Sequence, residues 1–201
     1  MSWTPEEKKR FSENIPKLLF LIFYTWVCLL IIKDLRNIND FLGCYGEGSG
    51  SACRFYFWFH NINLPVHEFG HLLFMPLGEF MSILGGSLTQ VLLPIAFTGS
   101  FWIRKDYYAT GICGAWVGES TLSVAHYMMD ASRRYLPLIG GNEDAHDWNN
   151  LLVMMGMLDK DWLIGGFTYF MGSLIIIMSL GLSYFIVFRD GKFIEINLDK
   201  K

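Results

Sequence analysis

Residues 163–188, LIGGFTYFMGSLIIIMSLGLSYFIVF, carry no charged side chain. A helix rises about 1.5 Å per residue and the hydrocarbon core of a bilayer is about 30 Å thick, so this run can cross it even when tilted. A helix that is apolar on every face needs apolar surroundings on every face. Residues 17–32, KLLFLIFYTWVCLLII, form a second such run. Between them, residues 55–80, 83–103 and 107–129 are apolar but interrupted by polar groups. The pattern predicts an all-α polytopic membrane protein with about five transmembrane helices, four to six, in one domain over residues 17–190. Composition agrees: 52% of the 201 residues are hydrophobic and only 17% charged. A net charge of −3 and the lack of a basic, aromatic-studded patch exclude a nucleic-acid partner, leaving the lipid bilayer as the surroundings. No internal repeat or low-complexity tract divides the chain.

Lys8, Lys9, Arg10 and Lys17 precede the first apolar run and predict a cytoplasmic N-terminus. Residues 1–16 read as a short cytoplasmic segment, amphipathic or frayed, and residues 191–201 as a polar tail. No small-residue cleavage site follows the first run, so it reads as a retained anchor. The later basic pairs are harder to place. Arg104–Lys105, Arg133–Arg134 and Arg189/Lys192 cannot all be cytoplasmic if the chain crosses five times. Cys28 and Cys113 lie in apolar segments and read as core residues. Cys44 and Cys53 flank the loop GCYGEGSGSAC, extracytoplasmic if the N-terminus is inside, where either a disulfide or two free thiols is compatible with the sequence.

The stretch LPVHEFGHLLF at residues 64–74 places titratable groups in a greasy helix pattern. His67 and His71 are four apart, so on a helix they project from one face one turn apart. Glu68 lies about 100° around from His67, within reach of a water on a metal held by the two imidazoles. H-E-x-x-H supplies two neutral nitrogen ligands and a carboxylate base for a metal-activated water. Its alternative, two buried histidines paired with a glutamate for structure, costs about 2–3 kcal/mol for a charged carboxylate in lipid. Asn63 is a candidate N-cap for a helix starting at Leu64. Gly85, Gly86 and Ser87 read as a break after it, followed by a short strand or a re-entrant segment over LTQVLLPIAF.

A catalytic zinc needs a third protein ligand. The nearest cluster of a histidine with acids is EDAHDW, where Glu143 and Asp144 read as solvent-facing and one of His146 or Asp147 would ligate. The other would support it or cap a short helix over residues 148–158. Glu119, Ser123, His126 and Asp130 recur at intervals of four, three and four, a polar stripe that must face protein or a wet cavity. It reads equally as support for the ligand histidines with a water path, or as a seam between helices with Asp130 paired to Arg133 or Arg134. His60 and Asn61 read as interfacial.

With HEFGH on a membrane helix, a Gly-Gly pair after it and a distal acidic ligand, the chain resembles the site-2 protease family of membrane-embedded zinc metalloproteases. His67, Glu68 and His71 carry the resemblance, with GGSLTQ at residues 85–90 in support. HDW at residues 146–148 stands where that family has an Asp in an LDG-type motif. The wider pattern, YMMDASRRYLPLIGG then HDWNNLL, is similar to a group of compact bacterial proteins grouped loosely with those proteases. The resemblance implies one zinc ion per chain, a bacterial inner-membrane location, a membrane-protein or peptide substrate and hydrolysis with Glu68 as general base. Asn149 or His126 is conceivable as an oxyanion donor. Two other classes stay open: a zinc-binding membrane scaffold without protease activity, and a small transporter whose Glu119–Asp130 stripe lines the pathway.

Overall fold

A computed structural model of the chain describes residues 4–36, 38–45, 50–136 and 145–190. All regular structure among them is helical: α1 (Pro5–Asp34), α2 (Ile38–Gly43), α3 (Ser51–Phe74), α4 (Glu79–Ile103), α5 (Tyr107–Met129), α6 (Asp147–Met154) and α7 (Asp161–Asp190). Short 3-10 turns at Met75–Leu77 and Leu158–Lys160 precede α4 and α7.

The five long helices coincide with the five apolar segments of the sequence. Among the described residues, three stretches are long and apolar enough to cross a membrane: Phe11–Asp34, Glu79–Ile103 and Leu158–Arg189. In α1, Leu21, Tyr24, Cys28 and Ile31 recur at steps of three and four and are buried, as is Leu35 just past its end, whereas Phe23, Trp26 and Leu29 are exposed on the other side. An outer face this apolar fits hydrocarbon rather than water.

α5 is the central helix and buries most of its circumference, so its lower hydropathy reflects protein neighbours rather than a polar environment. Its closest partner is α7. A Cβ on Gly118 would lie 2.7 Å from the Gly172 carbonyl oxygen, and one on Gly172 would lie 2.9 Å from that of Gly118. The two backbones touch there because neither residue has a side chain.

Hydrogen bonds fix the helix directions. The Tyr108 hydroxyl donates to the Lys17 carbonyl (3.1 Å), and His126 Nε2 donates to that of Leu35 (2.8 Å), so α5 runs parallel to α1. The Tyr169 hydroxyl donates to the Ile32 carbonyl (2.9 Å) and Ser183 Oγ to that of Tyr108 (3.0 Å), so α7 runs opposite to both. Gln90 Nε2 donates to the Ser120 carbonyl (3.4 Å) and Phe97 stacks 6.0 Å from Trp116, so α4 runs antiparallel to α5.

Several expectations are corrected. α4 passes unbroken through Gly85, Gly86 and Ser87, so LTQVLLPIAF is part of a continuous helix, and no strand occurs among the described residues. The glycines serve helix contact: a Cβ on Gly85 would lie 2.6 Å from the Gly70 carbonyl oxygen of α3. Asn63 is not an N-cap, because α3 begins twelve residues earlier, at Ser51. Its side chain instead donates from Nδ2 to Glu119 Oε2 (3.1 Å) and accepts at Oδ1 from Trp116 Nε1 (3.0 Å). Residues 5–16 are helical and continue without a break through Pro16 into the rest of α1. The short helix predicted for residues 148–158 is Asp147–Met154. Cys44 and Cys53 form a disulfide with Cα atoms 5.4 Å apart, tying the end of α2 to the first turn of α3. Cys28 is buried and Cys113 half-buried. Residues 191–201 lie outside the described residues.

Candidate metal centre

Two helices face each other through matched stripes. His67 and His71 of α3 meet Ser82, Gly86 and Gln90 of α4, themselves spaced four and four. His71 Nδ1 lies 2.9 Å from the Ser82 carbonyl oxygen, which can only accept, so the ring proton sits on Nδ1. His67 Nδ1 lies 3.2 Å from Gln90 Oε1, and Gln90 is held by its own donation to the Ser120 carbonyl. Both imidazoles therefore turn Nε2, the free lone pair, to the same side. Outer partners on Nδ1 of this kind fix the tautomer and orientation of metal-binding histidines.

Asp147, the first residue of α6, completes the group. Its Oδ2 lies 2.9 Å from His67 Nε2 and 3.3 Å from His71 Nε2. The three residues offer ligand atoms that all lie within 4.8 Å of one another and could hold a metal ion. The oxygen–nitrogen separations of 2.9 and 3.3 Å are those of neighbouring donors around one small metal ion. The space for it depends on Gly86: a Cβ there would lie 2.6 Å from Nε2 of both histidines. Burial alone would raise the Asp147 carboxyl, but without a metal the two imidazoles donate to it when they carry a second proton on Nε2, which outweighs burial and holds its pKa below the ordinary value.

His146, the other candidate, is turned away. It is fully buried and caps α6, with Nδ1 accepting from the Asn149 N–H (3.1 Å) and Nε2 donating to Asp130 Oδ2 (3.3 Å). Both ring nitrogens are thus used. Asp130 also accepts from the Tyr135 and Leu136 N–H groups (3.1 and 2.9 Å), so it braces the chain after α5 and, through His146, the start of α6. Asn149 donates from Nδ2 to the Ala131 carbonyl (2.7 Å), tying α6 to the same turn. The Asp147 N–H donates to the Tyr127 hydroxyl (3.2 Å). Three of the predicted residues therefore position Asp147 rather than touch the histidine pair.

The polar stripe of α5 divides among several tasks. Glu119 is buried against Asn63, Ser123 bonds the Tyr56 hydroxyl (3.2 Å), and His126 stacks on Phe41 at 4.0 Å. Glu119 and His126 join helices together; neither is brought to the three-residue group. Glu143 and Asp144 lie outside the described residues.

Glu68 is exposed and, with His67, lines a cavity of about 330 Å³ walled by Tyr56, His60, Leu64, Gln90, Ser123 and Tyr127, with Tyr45 and Leu136 among its other walls. His60 and Asn61, read from the sequence as interfacial, line it too. Gln90, Gly86, Ser82 and Tyr127 were not among the predicted site residues. The signal for the first three was the small-and-polar repeat S-x-x-x-G-x-x-x-Q at helical spacing in an apolar segment. No protein-family model, no curated protein and no solved structure matches the chain.

Proposed function

We propose that the protein is a membrane-embedded zinc metallopeptidase of the site-2 protease kind, hydrolysing peptide bonds in or near the bilayer. The observation that carries this reading is the convergence of two imidazole Nε2 atoms and one carboxylate oxygen over the glycine hollow of α4, beside a cavity that Glu68 also lines. A zinc ion bound there supplies Lewis acidity to the reacting carbonyl and acidifies water. His67, His71 and Asp147 would hold it, with Gln90 and Ser82 fixing the two rings. Glu68 takes the proton from the attacking water and later delivers it to the leaving amine nitrogen. The cavity takes the peptide segment next to the scissile bond and shields it from bulk water. A helical substrate unwinds before it is cut, because a hydrogen-bonded helix covers its carbonyls.

The test compares wild type with Glu68→Gln for bound zinc and for cleavage of a co-expressed candidate membrane substrate. The reading predicts zinc in both and cleavage only in wild type. Equal cleavage by both removes Glu68 from the reaction, and zinc-bound wild type that cuts no substrate in a broad panel supports the non-proteolytic scaffold instead.

A further inference from the structure

The two ends of the bundle differ chemically. At one end, Lys17 of α1, Lys105 and Asp106 of the α4–α5 turn and Arg189 of α7 surround one small recess, and Arg104 begins the same turn. At the other end lie the Cys44–Cys53 disulfide, the Leu35 carbonyl beside His126, and Asn39, whose Oδ1 accepts from Arg133 Nη1 (2.8 Å). The histidine pair and Asp147 belong to this second end. The Asp147 N–H is bonded to Tyr127, close to the end of α5 at Met129, and Tyr45, next to Cys44, lines the cavity with His67 and Glu68.

Two independent rules orient these ends. An excess of basic residues close to membrane-crossing segments marks the cytoplasmic side. A disulfide persists in an oxidising compartment, outside it. They agree here, because the disulfide and the basic residues that open the chain lie at opposite ends; Lys33, Arg36, Arg54, Arg133, Arg134 and Lys160 lie at the disulfide end, so it is the disulfide that carries the orientation.

The helix directions then limit the number of crossings. α1 ends at the disulfide end and α5, parallel to it, starts at the basic end. The chain between them must cross an odd number of times, so α3 and α4 cannot both cross. α4 runs antiparallel to α5 and is apolar enough to span, whereas α3 carries Arg54, His60, Asn61, Asn63 and Glu68.

We infer that α1, α4, α5 and α7 cross the membrane, that α3 enters it from the extracytoplasmic side without crossing, and that the His67–His71–Asp147 group is served from that side. The peptide bonds reached are those of extracytoplasmic segments near the membrane surface. This last clause rests on the proposed hydrolysis; the orientation does not. It also resolves the basic pairs: Arg104, Lys105 and Arg189 share the cytoplasmic side, and Arg133 and Arg134 lie opposite.

The test starts from the protein with Cys28→Ala and Cys113→Ala, adding Tyr135→Cys or Arg104→Cys. A membrane-impermeant maleimide is expected to label Tyr135→Cys in intact cells, and Arg104→Cys only after the membrane is opened. Five alternating crossings predict the reverse, and the reverse result overturns the inference whatever the protein cleaves. In the unmutated chain, blocking free thiols in intact cells is expected to leave Cys44 and Cys53 unmodified until a reductant is added; alkylation without reductant contradicts the orientation. With the labelling as expected, a reporter cut only when its scissile segment is outside supports the substrate class. Cutting only of a cytoplasmic segment overturns that class, and cutting of neither overturns the hydrolase reading while the orientation stands.

Discussion

Replacing Gly86 by Ala tests the geometry of the metal centre with a single methyl group. The added Cβ would lie 2.6 Å from Nε2 of both His67 and His71. Ordinary contact between a carbon and its neighbours is about 3.5–4.0 Å, so the helices or the rings must yield by about 0.9 Å. Ligand distances in zinc sites hold to about ±0.2 Å, a tolerance roughly four times smaller. Loss of outer support alone costs about 10–100-fold in metal affinity, so filling the hollow itself is expected to cost at least about 100-fold, or ~2.7 kcal/mol. Stability responds differently. Alanine favours the helix over glycine by about 1 kcal/mol, and overpacking costs about 1–3 kcal/mol, so the net loss is expected to stay under about 2 kcal/mol. The assay is competition for zinc against a chelator, paired with thermal unfolding of the metal-free protein in detergent. Gly166→Ala is the control, because a Cβ there meets nothing within 4 Å. Wild-type zinc affinity in Gly86→Ala refutes the reasoning, since the ion then does not occupy the space between the two Nε2 atoms.

Other outcomes follow from the same contacts. Asp147→Ala is expected to release zinc, whereas His146→Asn, which keeps an N-cap side chain, is expected to retain it; chelator competition reads both, and the opposite ranking would make His146 the ligand. Gln90→Leu removes the acceptor on His67 Nδ1 and is expected to weaken zinc binding about 10–100-fold, with Gln90→Glu restoring it. Cys44→Ser opens a loop with a sequence separation of 9 and is expected to lower unfolding stability by about 2.5 kcal/mol. An unchanged melting temperature in Cys44→Ser, and in wild type with reductant, would show that the disulfide does not staple α2 to α3.

Much of the helix layout could be read from the sequence because apolar length is a strong signal in a membrane. Residues 17–32 and 163–188 could do little else, and they lie within α1 and α7. The polar departures were harder, because each has a tertiary cause. Gly85 and Gly86 read as a break but lie inside α4, since their lack of side chains serves α3 rather than a turn. Asn63 has the chemistry of a cap, yet its partners are Glu119 and Trp116 across the bundle. In the site, H-E-x-x-H was legible because its spacing is local. His146 and Asp147 could not be told apart, since adjacent residues diverge and only the start of α6 decides which one faces the pair. The polar stripe of α5 was visible as a stripe, but its spacing carried no information about which neighbour each residue meets. Helix direction was invisible for a similar reason: segment lengths alone suggest alternation, and only contacts such as Tyr108 with Lys17 show that α1 and α5 run the same way.

The ligand set itself is most directly tested by zinc K-edge absorption on the Glu68→Gln protein loaded with one equivalent of zinc. The account predicts a nitrogen- and oxygen-only shell at about 2.0–2.1 Å, with the scattering of two imidazoles. It also predicts that the signal is lost in the His67→Ala, His71→Ala and Asp147→Ala variants. A sulfur scatterer at about 2.3 Å, or an unchanged spectrum in Asp147→Ala, would contradict it.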